Sequence, residues 1–139
     1  MVADAKIREF ISHDITHFGI RVVVGTIFIA HGVTKFDPSF VNFLGMIGIP
    51  AEMQYPIALA EFVGGILLTT GVLTRISASI LAIDMLGAIF HVKHAASLTG
   101  QRGFEIDLIL LAANLAIIVM GPGRVSVSHI AKKIPRSLQ

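Results

Sequence analysis

Four long apolar runs constrain this chain more than any other feature: residues 15–36, 56–73, 76–92 and 104–120. Each approaches the ~20 residues that, at ~1.5 Å rise, cross a hydrocarbon core ~30 Å thick. Backbone groups in lipid must satisfy one another, so the runs read as helices. Only 14% of the 139 residues are charged, against roughly 25% in soluble domains, and the mean hydropathy is +0.80. The expected fold is therefore all-α, an integral membrane four-helix transmembrane bundle, with residues 1–139 forming a single domain and the protein multi-pass in the cell membrane.

The connections are legible. Asp37-Pro38 ends the first helix, and Pro50 and Pro56 interrupt the chain before the second. Residues 40–49, rich in Phe, Met and Gly, suit a re-entrant or interfacial piece. Residues 71–75 make a short turn with Thr74 as a plausible N-cap, and Gly121-Pro122-Gly123 stops the fourth helix. Ile7, Phe10 and Ile11 give residues 1–17 either a short surface helix or a loose tail. The first run holds His31 and Lys35 and has no good small-residue cleavage site, so it reads as a retained span, not a signal peptide. Ile130 and Ile134 beside Lys132, Lys133 and Arg136 make a basic amphipathic end.

Lysines and arginines set the expected orientation. Lys6, Arg8, Arg21, Arg75, Arg124, Lys132, Lys133 and Arg136 fall on one side, and Lys35, Lys93 and Arg102 on the other. Both termini are then cytoplasmic. In this setting the +2 charge addresses anionic lipid and not nucleic acid. The absence of cysteine excludes disulfides, thiolate metal sites and thiol-exchange chemistry on this chain.

Glu61 lies inside the second run, ~8 Å past Pro56, where an isolated carboxylate costs a few kcal/mol. It calls for a partner. The same outer level receives His31 and Lys35, four apart on the first helix, His91 and His94 from the third, and Glu105 and Asp107 from the fourth. Taken singly, Lys35, Lys93, Glu105 and Asp107 read as groups meeting water and headgroups. For Glu61 and His31, an inward structural pair and a ligand or proton-transfer role stand open. A deeper set, Arg21, Asp84 and Asn114, reads as a structural polar core with an Asp84–Asn114 hydrogen bond.

A His–carboxylate layer near the membrane surface can exchange protons with a quinone headgroup. His31, Lys35, Glu61, His91 and Glu105 are the candidates for that quinone-proximal or proton-transfer role. No catalytic residue is assigned. A metal held by His31, Glu61, His91 and His94 is a weaker alternative, lacking a helix-borne ligand motif. A small transporter or proton-conducting bundle, with a polar path from Glu61 through Asp84 to Arg21, is another. Heme-attachment, dinucleotide and phosphate-loop motifs are not visible.

Arg21, His31-Gly32 with Lys35, Gly48-Ile49-Pro50, Glu61-Phe62-Val63-Gly64-Gly65, Gly71-Val72-Leu73-Thr74-Arg75, His91, Glu105 and Gly121-Pro122-Gly123-Arg124 follow one another along the chain. In this order and spacing they resemble the DoxX family of small four-helix membrane proteins over residues 19–128. The resemblance implies a place in respiratory or other membrane redox systems. Quinone is the possible cofactor, and other membrane subunits of an oxidoreductase complex are the expected partners. It implies an accessory subunit more than a stand-alone enzyme.

Overall fold

The structure, a computed structural model, describes residues 11–131, Pro135, Ser137 and Leu138. The expectations for residues 1–10 and for the basic end beyond Ala131 lie largely outside these. Among the described residues there are helices and no strands. The order is α1 (Ile11–Thr34), α2 (Ser39–Met46), a 3₁₀ turn (Ala51–Met53), α3 (Gln54–Thr70), α4 (Thr74–Gly87) running into a π turn (Ala88–Val92), α5 (Glu105–Met120) and α6 (Val127–Ala131).

The expected apolar runs become α1, α3, α4 with its π turn, and α5. The piece at 40–49 is largely the short helix α2. Asp37 starts it by accepting the Ser39 N–H at 2.8 Å, and Gly48 ends it at φ 74°. α3 ends in a Schellman arrangement: Gly71, at φ 76°, donates to Leu68, and Val72 donates to Leu67 at 2.9 Å. The next helix follows after only Val72 and Leu73. Thr74 is consequently not an N-cap. Leu73 takes that place in the left-handed region at φ 47°, while Thr74 is the first helical residue and its buried Oγ1 has no partner among the described residues.

Close approach governs the packing of α1 on α3. A Cβ at Gly65 would stand 2.6 Å from the Gly25 carbonyl oxygen, and one at Gly32 would stand 2.6 Å from the Phe62 nitrogen. Only glycine allows backbones so near. α4 packs along α5, and Val24, Phe28, Leu68, Leu81, Met85, Leu110 and Ile117 fill the space between the helices.

Polarity is inverted relative to a soluble bundle. Arg21 and Asn114 are fully buried and Glu61 is 1% exposed, while Ile83, Ile109 and Val119 face outward at 67–77% exposure. Such a surface suits lipid. α1, and α4 with its π turn, are long and apolar enough to span a bilayer. α3 and α5, at 17 and 16 residues, reach ~25 Å. This is an all-α membrane bundle.

Candidate functional site

Where α1 finishes and α3 begins, the bundle does not close. Lys35 follows the last turn of α1, one turn beyond His31, and reaches across to Glu61. The two form an ion pair with Glu61 Oε1 as acceptor. Lys35 is thus the partner Glu61 required, and not a headgroup lysine. Its ammonium also lies 5.6 Å from the Phe40 ring centre. Buried Gln54, at the start of α3, donates to the Lys35 and Asp37 carbonyls at 3.1 and 3.0 Å. That anchors the chain between α1 and α2.

α4 brings Asp84 to the same place. Its carboxyl comes within hydrogen-bonding reach of Glu61. The expected Asp84–Asn114 bond is absent: the Asn114 amide is fully buried, and neither of its polar atoms has a partner among the described residues. Depth along the helices placed these two residues at one level, but α4 turns Asp84 toward α3.

The π turn then carries His91 over the opening. Its Nε2 lies 3.0 Å from the Ile47 carbonyl. A carbonyl only accepts, so Nε2 is the protonated nitrogen in this contact. Lys93, just past the turn, bonds Asp107 Oδ2 at 2.5 Å and the Gly103 carbonyl at 2.9 Å. Neither Lys93 nor Asp107 is therefore left to the headgroups.

These groups border a cavity of about 470 Å³. His31, Lys35, Glu61, Asp84, His91 and Asp107 supply polar atoms. Phe40, Phe43, Leu44, Ile47 and Ile49 form an apolar wall from α2 and the segment after it, and Ile57, Met85 and Val92 add apolar surface from α3, α4 and the π turn. The Phe40 and Phe43 rings stack at 5.8 Å. The volume lies within the ~300–1,000 Å³ usual for small-molecule sites.

Of the five quinone or proton-transfer candidates, His31, Lys35, Glu61 and His91 meet around this cavity. Glu105 does not; it is exposed on the first turn of α5 and does not line the cavity. His94 is likewise exposed and does not line it, in the left-handed region at φ 50°. Among the described residues no three His, Asp or Glu side chains converge as a metal site, so His31, Glu61, His91 and His94 do not form the ligand set considered above.

Arg21 lies near the middle of α1, at the other end of the bundle, beside the C-terminal ends of α3 and α5. Its guanidinium donates to the carbonyls of Pro122 and Val125 and makes no described ion pair with Asp84. Val24, Phe28, Leu68, Leu81 and Ile117 fill the interior between the two ends. Among the described residues no hydrogen bond or ion pair links Glu61 or Asp84 to Arg21, although Thr74, Ser77 and Asn114 are also buried in the interior.

Two parts of the site escape the sequence reading. One is the α2 wall, although Phe40, Phe43, Leu44 and Ile47 stand at i, i+3, i+4 and i+7, the signature of a helix with one buried face. The other is the role of Asp84. No sequence signal distinguishes a carboxyl turned toward α3 from one turned toward α5.

Comparison with known proteins gives a consistent picture. A family model described as DoxX matches residues 17–94, a range holding every cavity residue except Asp107. The chain is 39% identical over 100 residues to "Putative oxidoreductase CatD" of Bacillus subtilis (strain 168), covering 70% of this chain and 75% of that protein. It is 34% identical over 130 residues to "Uncharacterized membrane protein Rv3486" of Mycobacterium tuberculosis, covering 82% of this chain and 80% of that one. An uncharacterized Haemophilus influenzae protein is 33% identical over 109 residues, covering 75% and 81%. No solved structure matches.

Proposed function

The chain belongs to the DoxX family, and on that premise we propose that it is an integral membrane subunit of a quinone-linked oxidoreductase complex, not a stand-alone enzyme. It crosses the cell membrane several times as one domain, with both termini in the cytoplasm, in keeping with its lysine and arginine distribution. The relative named as an oxidoreductase supports the redox assignment.

One observation carries the reading: a single cavity, large enough for a ring, is lined both by charged, hydrogen-bonding side chains and by aromatic and aliphatic ones. A quinone needs this combination, with polar contacts for its oxygens and an apolar surface for its ring and tail. Glu61 Oε2 is buried without a donor among the described residues, so the charged lining keeps unspent hydrogen-bonding capacity.

A bound quinone supplies a two-electron, two-proton couple, with electrons passing to or from a partner redox subunit. The residues of this chain manage binding and protons. Lys35 holds an N–H donor beside the cavity while its charge balances Glu61. Phe40 and Phe43 exclude water from one side. His31, exposed at the cavity, can pass protons to and from solvent.

Purification in mild detergent tests the assignment. Redox subunits should co-elute with the wild-type protein, whereas a solitary, cofactor-free protein would contradict it. Glu61→Gln separates the two roles of the carboxyl. With proton transfer, the complex assembles while turnover falls about tenfold or more and its pH dependence changes. With a purely structural role, activity falls only with the amount assembled.

A further inference from the structure

Carboxyls outnumber lysines around this cavity. Glu61 from α3, Asp84 from α4 and Asp107 from α5 all line it. Lys93 engages Asp107. Lys35 engages Glu61 through Oε1, leaving the buried Oε2 without a donor. Asp84 is in hydrogen-bonding reach of Glu61 and has no cation of its own within ion-pair distance among the described residues. Two carboxyls at that range can bond only through a proton, and as two anions they repel.

The other elements around the pair do not supply the missing charge. α1 presents Lys35, already counted, and His31, which makes no ion pair with either carboxyl among the described residues. The π turn presents His91, whose Nε2–H is directed to the Ile47 carbonyl. α5 presents Asp107, which adds a negative charge already matched by Lys93. α2 has no charged residue in Ser39–Met46. Two lysines thus answer three carboxyls, and Glu61 is itself only 1% exposed, where an uncompensated anion is costly.

We propose that Glu61 and Asp84 share a single proton, and that this dyad is the proton store of the cavity. Asp84 is then a working member of the site and not part of a structural polar core. Lys35 balances the one negative charge the pair retains. That the stored proton serves a quinone oxygen rests on the function proposed above; the existence of the dyad does not.

Infrared spectroscopy of the purified protein at neutral pH, with no quinone added, tests it. The wild type should show the carbonyl band of a protonated carboxylic acid, shifting on exchange into D₂O. Glu61→Gln and Asp84→Asn should each abolish it, because either leaves one carboxylate facing Lys35. A wild type without the band overturns the proposal, and so does a band surviving either substitution. Should a variant fail to fold, wild-type protein labelled with carboxyl-¹³C aspartate or glutamate provides the answer. A shared proton makes the band respond to both labels; response to one alone, or to neither, overturns it. Since no quinone is present, failure here leaves the quinone assignment standing, and failure of co-purification leaves the dyad standing.

Discussion

Arg21, in the middle of α1, and Lys35, just past its end, are cations at opposite ends of the bundle, and the protein treats them differently. Arg21 is fully buried and spends two N–H groups on the backbone carbonyls of Pro122 and Val125. Space around it is filled: a Cβ at Gly71 would stand 3.0 Å from the guanidinium carbon. Lys35 is answered by a carboxylate, and a cavity opens beside the pair. Arg21 therefore clamps the segment after α5 against α1, whereas Lys35 holds a charge at the edge of free volume. Burial of a charge does not by itself mark a functional site. Unfilled space beside it does.

The comparison breaks first at Arg21. Arg21→Leu removes two charge-assisted hydrogen bonds and leaves two carbonyls unanswered, a loss of about 3–6 kcal/mol at ~1.5–3 kcal/mol per bond. Thermal unfolding in detergent should show a large fall in Tm, with quinone binding below the new Tm unchanged. Lys35→Met should reverse the pattern. Glu61 can take up a proton when its cation is gone, which limits the stability loss to about 1–2 kcal/mol, but quinone binding should fall at least tenfold. Equal effects of the two substitutions on binding would erase the distinction between the ends.

A smaller effect sharpens the account of the α2 wall. His91→Ala removes one hydrogen bond, worth about 1 kcal/mol. Amide exchange in α2 should quicken about fivefold while α3 is unchanged. Unaltered exchange in α2 would mean that the contact with Ile47 does not hold the wall.

Asp37→Asn is the mildest change. Hydrogen bonds from the Ser39 side chain and then its backbone N–H hold the exposed Asp37 carboxyl below its ordinary range. A depressed carboxyl contributes its stability above the ordinary carboxylate range and loses it as pH falls through the lower folded value. Protection from exchange in the first turn of α2, taken relative to the intrinsic rate at each pH, should therefore fall in acid for the wild type, and this acid response should vanish in the variant.

The sequence reveals levels along the helix axes better than directions around them. Charge and apolar run lengths set the depth of Glu61, and the i, i+4 spacing puts His31 and Lys35 on one face, so the meeting of three elements at one end was legible. Asp84 and Asn114 were expected to pair because their depths agree. The rotation of α4 is decided by tertiary packing, including Leu81 against Gly64, and a single helix's periodicity does not record which neighbour a buried face meets. Thr74 fails for a local reason: Leu73 occupies the left-handed position that makes the turn shorter than a capped one. Asp107 and Lys93 look like surface charges in the sequence, yet the loop between them folds back and joins them.

The central claim is that a quinone occupies the space between the α2 wall and the Lys35–Glu61–Asp84 face. Photolabelling membranes with a light-activated quinone analogue, then mapping the adducts by mass spectrometry, tests it most directly. The account predicts labels on Phe40, Phe43 or Ile47 of the α2 side and near His91, competed away by excess unlabelled quinone and lost in Lys35→Met. Labels confined to the outward-facing Ile109 and Val119, indifferent to competitor and to Lys35, would contradict it.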